Sequence, residues 1–185
     1  MDPQPALRST QIIGGPGNLL AYDRWGMTGR PVVLLHGPLF DRTLWWPVAA
    51  ELAAHCTVVA PDLPGHGQSP IRDDCSMARL ADDLATLVSG LGSTRAPLVV
   101  GHGASAGLAT TFADTYATHR VFAVDEPADG EVPAALRSFA EPRQDPLLLQ
   151  AYASWLTAAW SAPTLLAATH LTDPAAFATS LRAHL

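Results

Sequence analysis

The sequence predicts an α/β protein: a three-layer, mostly parallel sheet followed by a helical C-terminal segment. Three observations carry that expectation. Short apolar runs alternate with amphipathic segments along the chain. Four of those runs, at 31–35, 57–60, 97–100 and 121–125, are apolar almost throughout, as strands covered on both faces are. No internal repeat or low-complexity stretch interrupts the alternation.

The elements follow in order. Runs 10–13 and 19–25 alternate in polarity and flank Gly14-Gly15-Pro16-Gly17-Asn18, which predicts an antiparallel hairpin. The run at 31–35 is followed by a helix over 41–54. After the strand at 57–60, a helix is expected over 76–91. Ser76 is its N-cap, and Met77, Leu80, Leu84, Leu87, Val88 and Leu91 share one face. The strand at 97–100 leads into a helix over 104–117. Beyond the strand at 121–125 no further strand is expected, only helices near 131–140, 146–160 and 174–183. Asp173-Pro174 forms an N-cap and N1 pair for the last.

Composition narrows the function classes. The chain has 185 residues, 48% hydrophobic and 15% charged, which fits one folded domain with a real core. All 11 basic residues are arginine, so Schiff-base, pyridoxal and P-loop lysine chemistry are excluded. A net charge of −6 disfavours nucleic acid as a partner. Cys56 and Cys75 make no disulfide framework, and residues 1–8 make no secretory signal, so a cytoplasmic setting is expected. The charge-free stretch 146–172 is interrupted by Gln150, Ser154, Thr157, Ser161 and Pro163, which argues against a membrane span. No histidine pair has metal-ligand spacing; no metal and no cofactor are expected.

Three motifs carry a family resemblance. They are Val32-Val33-Leu34-Leu35-His36-Gly37, then Val59-Ala60-Pro61-Asp62-Leu63-Pro64-Gly65-His66-Gly67-Gln68-Ser69, then Leu98-Val99-Val100-Gly101-His102-Gly103-Ala104-Ser105. In this order and spacing they resemble strands three, four and five of the α/β-hydrolase fold family, with residues 8–127 covering its first six strands. The resemblance implies a core over 1–127 and a helical lid over 128–185. It also implies nucleophilic catalysis from a strand-to-helix elbow, an oxyanion hole, and an acid and a histidine further along the chain.

The implied parts map onto the chain unevenly. Gly103-Ala104-Ser105-Ala106-Gly107 reads literally as G-x-S-x-G with Ser105 as nucleophile. The family register instead puts Gly103 at the elbow, with Ser105 a helix residue bonding locally; this register is favoured. In the loop after strand three, Pro38 stands where the resemblance implies an N–H donor, and proline has none. Losing such a donor costs about 2.7–4 kcal/mol of transition-state stabilisation. Leu39 would substitute as donor if the loop shifts, and the Ala104 N–H stays available.

The segments that bring the acid and histidine are read as missing. His119, His170 and His184 follow Ser105, but no motif assigns any of them. Asp125 and Glu126 end strand six at the sheet edge where this fold places chemistry; they act either in acid–base catalysis or in bracing the turn. His36, His66 and His102 read as loop braces. Leu148, Tyr152, Trp155, Leu156 and Ala159 recur at helical spacing. Most of that face is packing, and part of it, with Trp45 and Trp46, would roof an apolar pocket.

The expected substrate site is therefore His36, Gly37, Pro38, Leu39, His102, Gly103, Ala104 and Trp155, with Asp125, Glu126 and Ser105 as candidate catalytic groups. Three altered parts argue against triad hydrolysis. The leading expectation is a non-hydrolytic enzyme of small-molecule, specialised metabolism, promoting cyclisation, isomerisation or elimination on an apolar carbonyl-type substrate. The alternatives are an ester, lactone or thioester hydrolase using Ser105, and an inert binding or scaffolding subunit. An exposed strand-six edge, or the lid helices, would make the partner a second copy of the chain.

Overall fold

A computed structural model describes residues 7–38, 40–124, 146–157, 164–166 and 169–185. Seven strands form one sheet in the order β1-β2-β4-β3-β5-β6-β7. The strands are β1 (Ser9–Ile13), β2 (Leu20–Trp25), β3 (Pro31–Leu35), β4 (Thr57–Pro61), β5 (Leu98–His102), β6 (Arg120–Val124) and β7 (Leu165–Leu166). β1 and β2 pair antiparallel with Ile13 opposite Leu20, and β2 pairs antiparallel with β4. The β4–β3, β3–β5, β5–β6 and β6–β7 pairs are parallel.

The helices are α1 (Trp46–Leu52), α2 (Met77–Gly90), α3 (Ser105–Thr115), α4 (Pro146–Ala151), α5 (Ala153–Thr157) and α6 (Pro174–Arg182). They cover the sheet in two layers. On one face α1, the turn just before it and α6 bury Leu44, Trp45, Leu52, Phe177 and Leu181 against Leu34, Val58, Val100 and Phe122. On the other, α2, α3, α4 and α5 bury Leu80, Leu84, Phe112, Leu148 and Trp155 against Val33, Val59 and Val99. With both faces covered, the central strands are apolar on both sides, as their sequence runs require.

The structure departs from the sequence expectation at four places. First, the expected 41–54 helix begins as a 3-10 turn over Arg42–Trp45, capped by Asp41 accepting from the Thr43 N–H. α1 then restarts with Pro47 in its first turn, where a missing N–H costs nothing. Second, β5 runs on to His102, because Gly101 and His102 pair with Ala123 and Val124. Third, 146–157 is two short helices rather than one. The bend at Tyr152 lets its hydroxyl donate to the Pro64 carbonyl (2.9 Å) while Trp155 Nε1 donates to the Cys75 carbonyl (3.1 Å). Fourth, a strand does follow residue 125. β7 pairs Leu165 with Ala123 and Leu166 with Val124, and the Ala123 N–H donates to the Thr164 carbonyl (2.9 Å). The C-terminal half of β6 is thus not an open edge. The helix expected near 131–140 lies outside the described residues.

The Asp62 to Ser69 motif is an architectural knot. The Asp62 carboxylate accepts from the Arg42 N–H (2.9 Å), the Gln68 N–H (2.8 Å) and the Arg42 guanidinium. Ser69 Oγ donates to the Asp62 carbonyl (2.8 Å) and accepts from the Ala21 N–H (2.9 Å). Gly67 sits at φ +52°, and a Cβ there would lie 2.1 Å from Asp62 Oδ2. This motif fastens β4 to β2 and to the turn before α1.

Candidate active site

β5 and α3 meet in a turn of two residues, Gly103 and Ala104. Gly103 has φ +54°, the left-handed region, and its N–H donates to the Val124 carbonyl (3.0 Å). Gly101 makes the close strand-to-helix approach: a Cβ there would meet Ser105 O at 2.4 Å and Ala106 Cα at 2.6 Å. The elbow residue is therefore Gly103. Ser105 is the first residue of α3, fully buried, and its hydroxyl donates to the His36 carbonyl (2.6 Å). Ala104 caps α3, where the first N–H groups have no acceptor within the helix.

The loop after β3 packs against this elbow. Gly37 makes a close approach there, since a Cβ would lie 3.1 Å from both His102 Nδ1 and the His102 carbonyl. The turn closes with the Phe40 N–H donating to the Gly37 carbonyl (3.1 Å), and Pro38 is buried within it. Leu39, Asp125 and Glu126 lie outside the described residues.

Four imidazoles line the C-terminal edge of the sheet: His66, His36 and His170 from the loops after β4, β3 and β7, and His102 from the last residue of β5. All four are buried. His36 accepts from the Leu63 N–H at Nε2 (2.9 Å) while Nδ1 faces the Gly37 carbonyl (2.8 Å), partners that suit the tautomer carrying its proton on Nδ1. The His36 and His66 rings stand 4.9 Å apart, and those of His102 and His170 5.1 Å apart. Burial, then the nearby His36, pushes His66 down to about 3. Burial, then His170 and His36, pushes His102 down to about 3. Burial alone pushes His170 down to about 4. These three rings are neutral at neutral pH.

No sequence motif assigns His170; the last elements bring it to the site. β7 runs parallel to β6 and delivers residues 169–172 to the same edge as Gly103. The Asp173 N–H donates to the Thr169 carbonyl (2.7 Å), and Asp173 caps α6 by accepting from the Ala176 N–H (2.9 Å). α6 then packs Phe177 on the His170 ring (5.8 Å), and Trp45 lies 5.1 Å away. His119 is placed elsewhere, before β6, with its Nε2 3.1 Å from the His184 carbonyl.

The expected pocket aromatics divide differently. Trp45 is fully buried and stands over His102 (6.3 Å) as well as His170. Trp46 points away, its Nε1 donating to Asp23 Oδ2 (2.8 Å) with the Arg8 guanidinium over its ring. Trp155 is on the opposite face of the sheet, buried edge-on to Tyr152 (5.0 Å). Its hydrogen bond to Cys75 makes it a clamp on the loop before α2 rather than a lining residue of the elbow. Among the described residues no cluster of three or more His, Cys, Asp or Glu side chains is arranged to hold a metal ion. None of the described helices is long and apolar enough to cross a membrane.

A profile described as the alpha/beta hydrolase family matches residues 32–185. The chain belongs to that family. Similar proteins include an uncharacterised protein of Mycobacterium tuberculosis, 42% identical over 87 residues, which are 46% of this chain and 25% of that one. The pimeloyl-[acyl-carrier protein] methyl ester esterase of Aeromonas salmonicida is 38% identical over 71 residues, 37% of this chain and 28% of the esterase. Among solved structures, a thermophilic esterase from Thermogutta terrifontis superposes with a TM-score of 0.55 at 33% identity, covering 72% of this chain and 50% of the esterase. The chain thus spans about a quarter of the length of these curated relatives and half of that solved structure.

Proposed function

We propose that this alpha/beta hydrolase acts on a small carbonyl-type molecule, held over the Gly103 turn, without forming an acyl-enzyme. The observation that carries the reading is the elbow itself. Gly103 offers no side chain at the position from which a nucleophile would attack, and the Ser105 hydroxyl is buried on the His36 carbonyl. The names of the two esterase relatives support a carbonyl substrate class. A site with helix-end N–H donors, neutral imidazoles and no attacking side chain suits proton transfer and templating, as in cyclisation, isomerisation or elimination.

Intact-mass spectrometry after incubation with p-nitrophenyl butyrate tests this. The expected spectrum shows the unmodified chain, while saturation-transfer NMR shows the ester bound. Any turnover observed should be unchanged in Ser105→Ala. An acyl adduct mapped to Ser105 would overturn the reading in favour of a serine hydrolase. Absence of binding, with co-purification of a larger partner, would overturn it in favour of a scaffolding subunit.

A further inference from the structure

Among the described residues, no backbone–backbone hydrogen bond joins residues 169–185 to the rest of the fold. The Asp173, Phe177, Ala183, His184 and Leu185 N–H groups donate to the carbonyls of Thr169, Asp173, Thr179, Leu181 and Arg182, all inside the stretch. Polar contacts fasten its far end: the Arg30 guanidinium donates to the Leu185 carbonyl (3.4 Å), His119 Nε2 lies 3.1 Å from the His184 carbonyl, and Arg182 Nη1 lies 2.9 Å from His55 Nε2. The near end is held by packing, with Phe177, Ala178 and Leu181 in the core beside α1. A segment attached in this way can open as a unit at less cost than unfolding the whole domain. His170 sits where it docks. The ring is 1% exposed, yet neither nitrogen has a hydrogen-bond partner among the described residues. Trp45 from the turn before α1, His102 from β5 and Phe177 from α6 face it, a seat that an apolar ring would fill equally well. No carboxylate offsets a charge there, so the docked seat takes His170 only as the neutral ring.

We propose that residues 169–185 are a pH-sensitive strap, which undocks from the sheet edge as one unit when His170 takes up a proton while the rest of the fold stays in place. The inference is independent of what the site binds. Docked, burial holds His170 down to about 4. Released, it titrates near its ordinary value of about 6.5. Proton uptake therefore favours the released form, beginning as pH falls below about 6.5 and complete near about 4. The other titratable groups at the junction do not oppose this. His102 is itself held down by burial, then by His170 and His36. A guanidinium only donates, so the Arg182 contact needs an unprotonated His55 Nε2, and as an exposed pair it weighs little. His119 can donate to the His184 carbonyl in either form. On the strap itself, Asp173 faces the start of α6 and the His184 ring lies 5.0 Å from Phe122. Release takes the His170 and Phe177 rings away from Trp45 and from His102, the residue directly before Gly103.

Hydrogen exchange of the full chain, read by mass spectrometry on peptides covering α6 and α2, tests this. Rates are corrected for the intrinsic pH dependence of amide exchange. From about pH 7.5 to about pH 5.5 the protection of α6 should fall about 10-fold, the linkage of one proton between these two affinities. At both pH values it should lie below the protection of α2, because the strap opens without the rest of the fold. In His170→Phe, whose ring fills the same seat and takes no proton, α6 protection should hold to within about twofold. Equal protection of α6 and α2 at each pH overturns the proposal, since the segment would then open only with the whole molecule. So does α6 protection that pH leaves unmoved, or a fall that persists in His170→Phe. Should His170→Phe fail to fold by circular dichroism, the 15N imidazole titration of the wild-type chain decides. His170 must stay neutral for as long as α6 stays protected. A ring that protonates near about 6.5 with α6 still protected overturns the proposal.

Discussion

Glycines in this fold have separable jobs. Gly101 is needed for space, because an added Cβ would strike helix backbone at 2.4–2.6 Å, atoms that cannot swing aside. Gly92, by contrast, is needed for conformation, with φ +70° and nothing within 4 Å of an added Cβ. Gly101→Ala should therefore cost at least the upper end of the about 1–3 kcal/mol typical of overpacking. Gly92→Ala should cost about 1–2 kcal/mol for left-handed backbone. Urea midpoints distinguish the two, since asparagine, which tolerates that conformation, should recover part of the loss at 92 and none at 101. Gly103 combines an elbow position with positive φ. The sequence signal for that position is the Gly103 that directly follows the apolar strand ending at His102.

Elements differed in how legible they were, and the differences are physical. β3, β4 and α2 are written in strong local patterns: continuous apolar runs for two-sided burial, and a capped amphipathic helix. β7 has only two residues, too few for any period, and exists because it pairs with β6. Its omission hid the site's fourth imidazole, because His170 is delivered by that strand and fixed by the helix after it. A signal was available: Asp173-Pro174 announced α6, and Phe177 and Leu181 gave it an apolar face. What local sequence did not contain was the partner, α1, against which that face packs. The placement of α6 can be tested in two steps. Asp173→Ala removes the cap to the Ala176 N–H and should cost about 1 kcal/mol. Phe177→Ala empties a buried ring site next to Trp45 and His170 and should cost about 3–5 kcal/mol. Near-equal losses in denaturant melts would mean that α6 is not seated on this core.

For the molecule as a whole, collecting buried imidazoles at one sheet edge couples folding to pH. The sign follows from the direction of the shifts. His66 and His102 are lowered to about 3 and His170 to about 4 in the folded chain. In the unfolded chain each titrates near its ordinary value of about 6.5. Above that value neither state binds the protons, and the fold is unaffected. As pH falls below it, the unfolded chain takes up protons that the folded chain refuses, so stability declines until the folded rings titrate. Each histidine contributes a slope of up to about 1.4 kcal/mol per pH unit, and three together about 4 kcal/mol per unit. A domain of ordinary stability, about 5–15 kcal/mol, would lose its fold well before the rings protonate in place. The urea midpoint should be level above about pH 7.5 and drop steeply between about pH 6.5 and 4.5. His170→Gln should flatten that drop by about a third, because one of the three linked protons is gone. A midpoint unchanged from about pH 8 to about pH 5 would mean that these rings are solvated in solution, and that the water-excluding edge around Gly103 does not form.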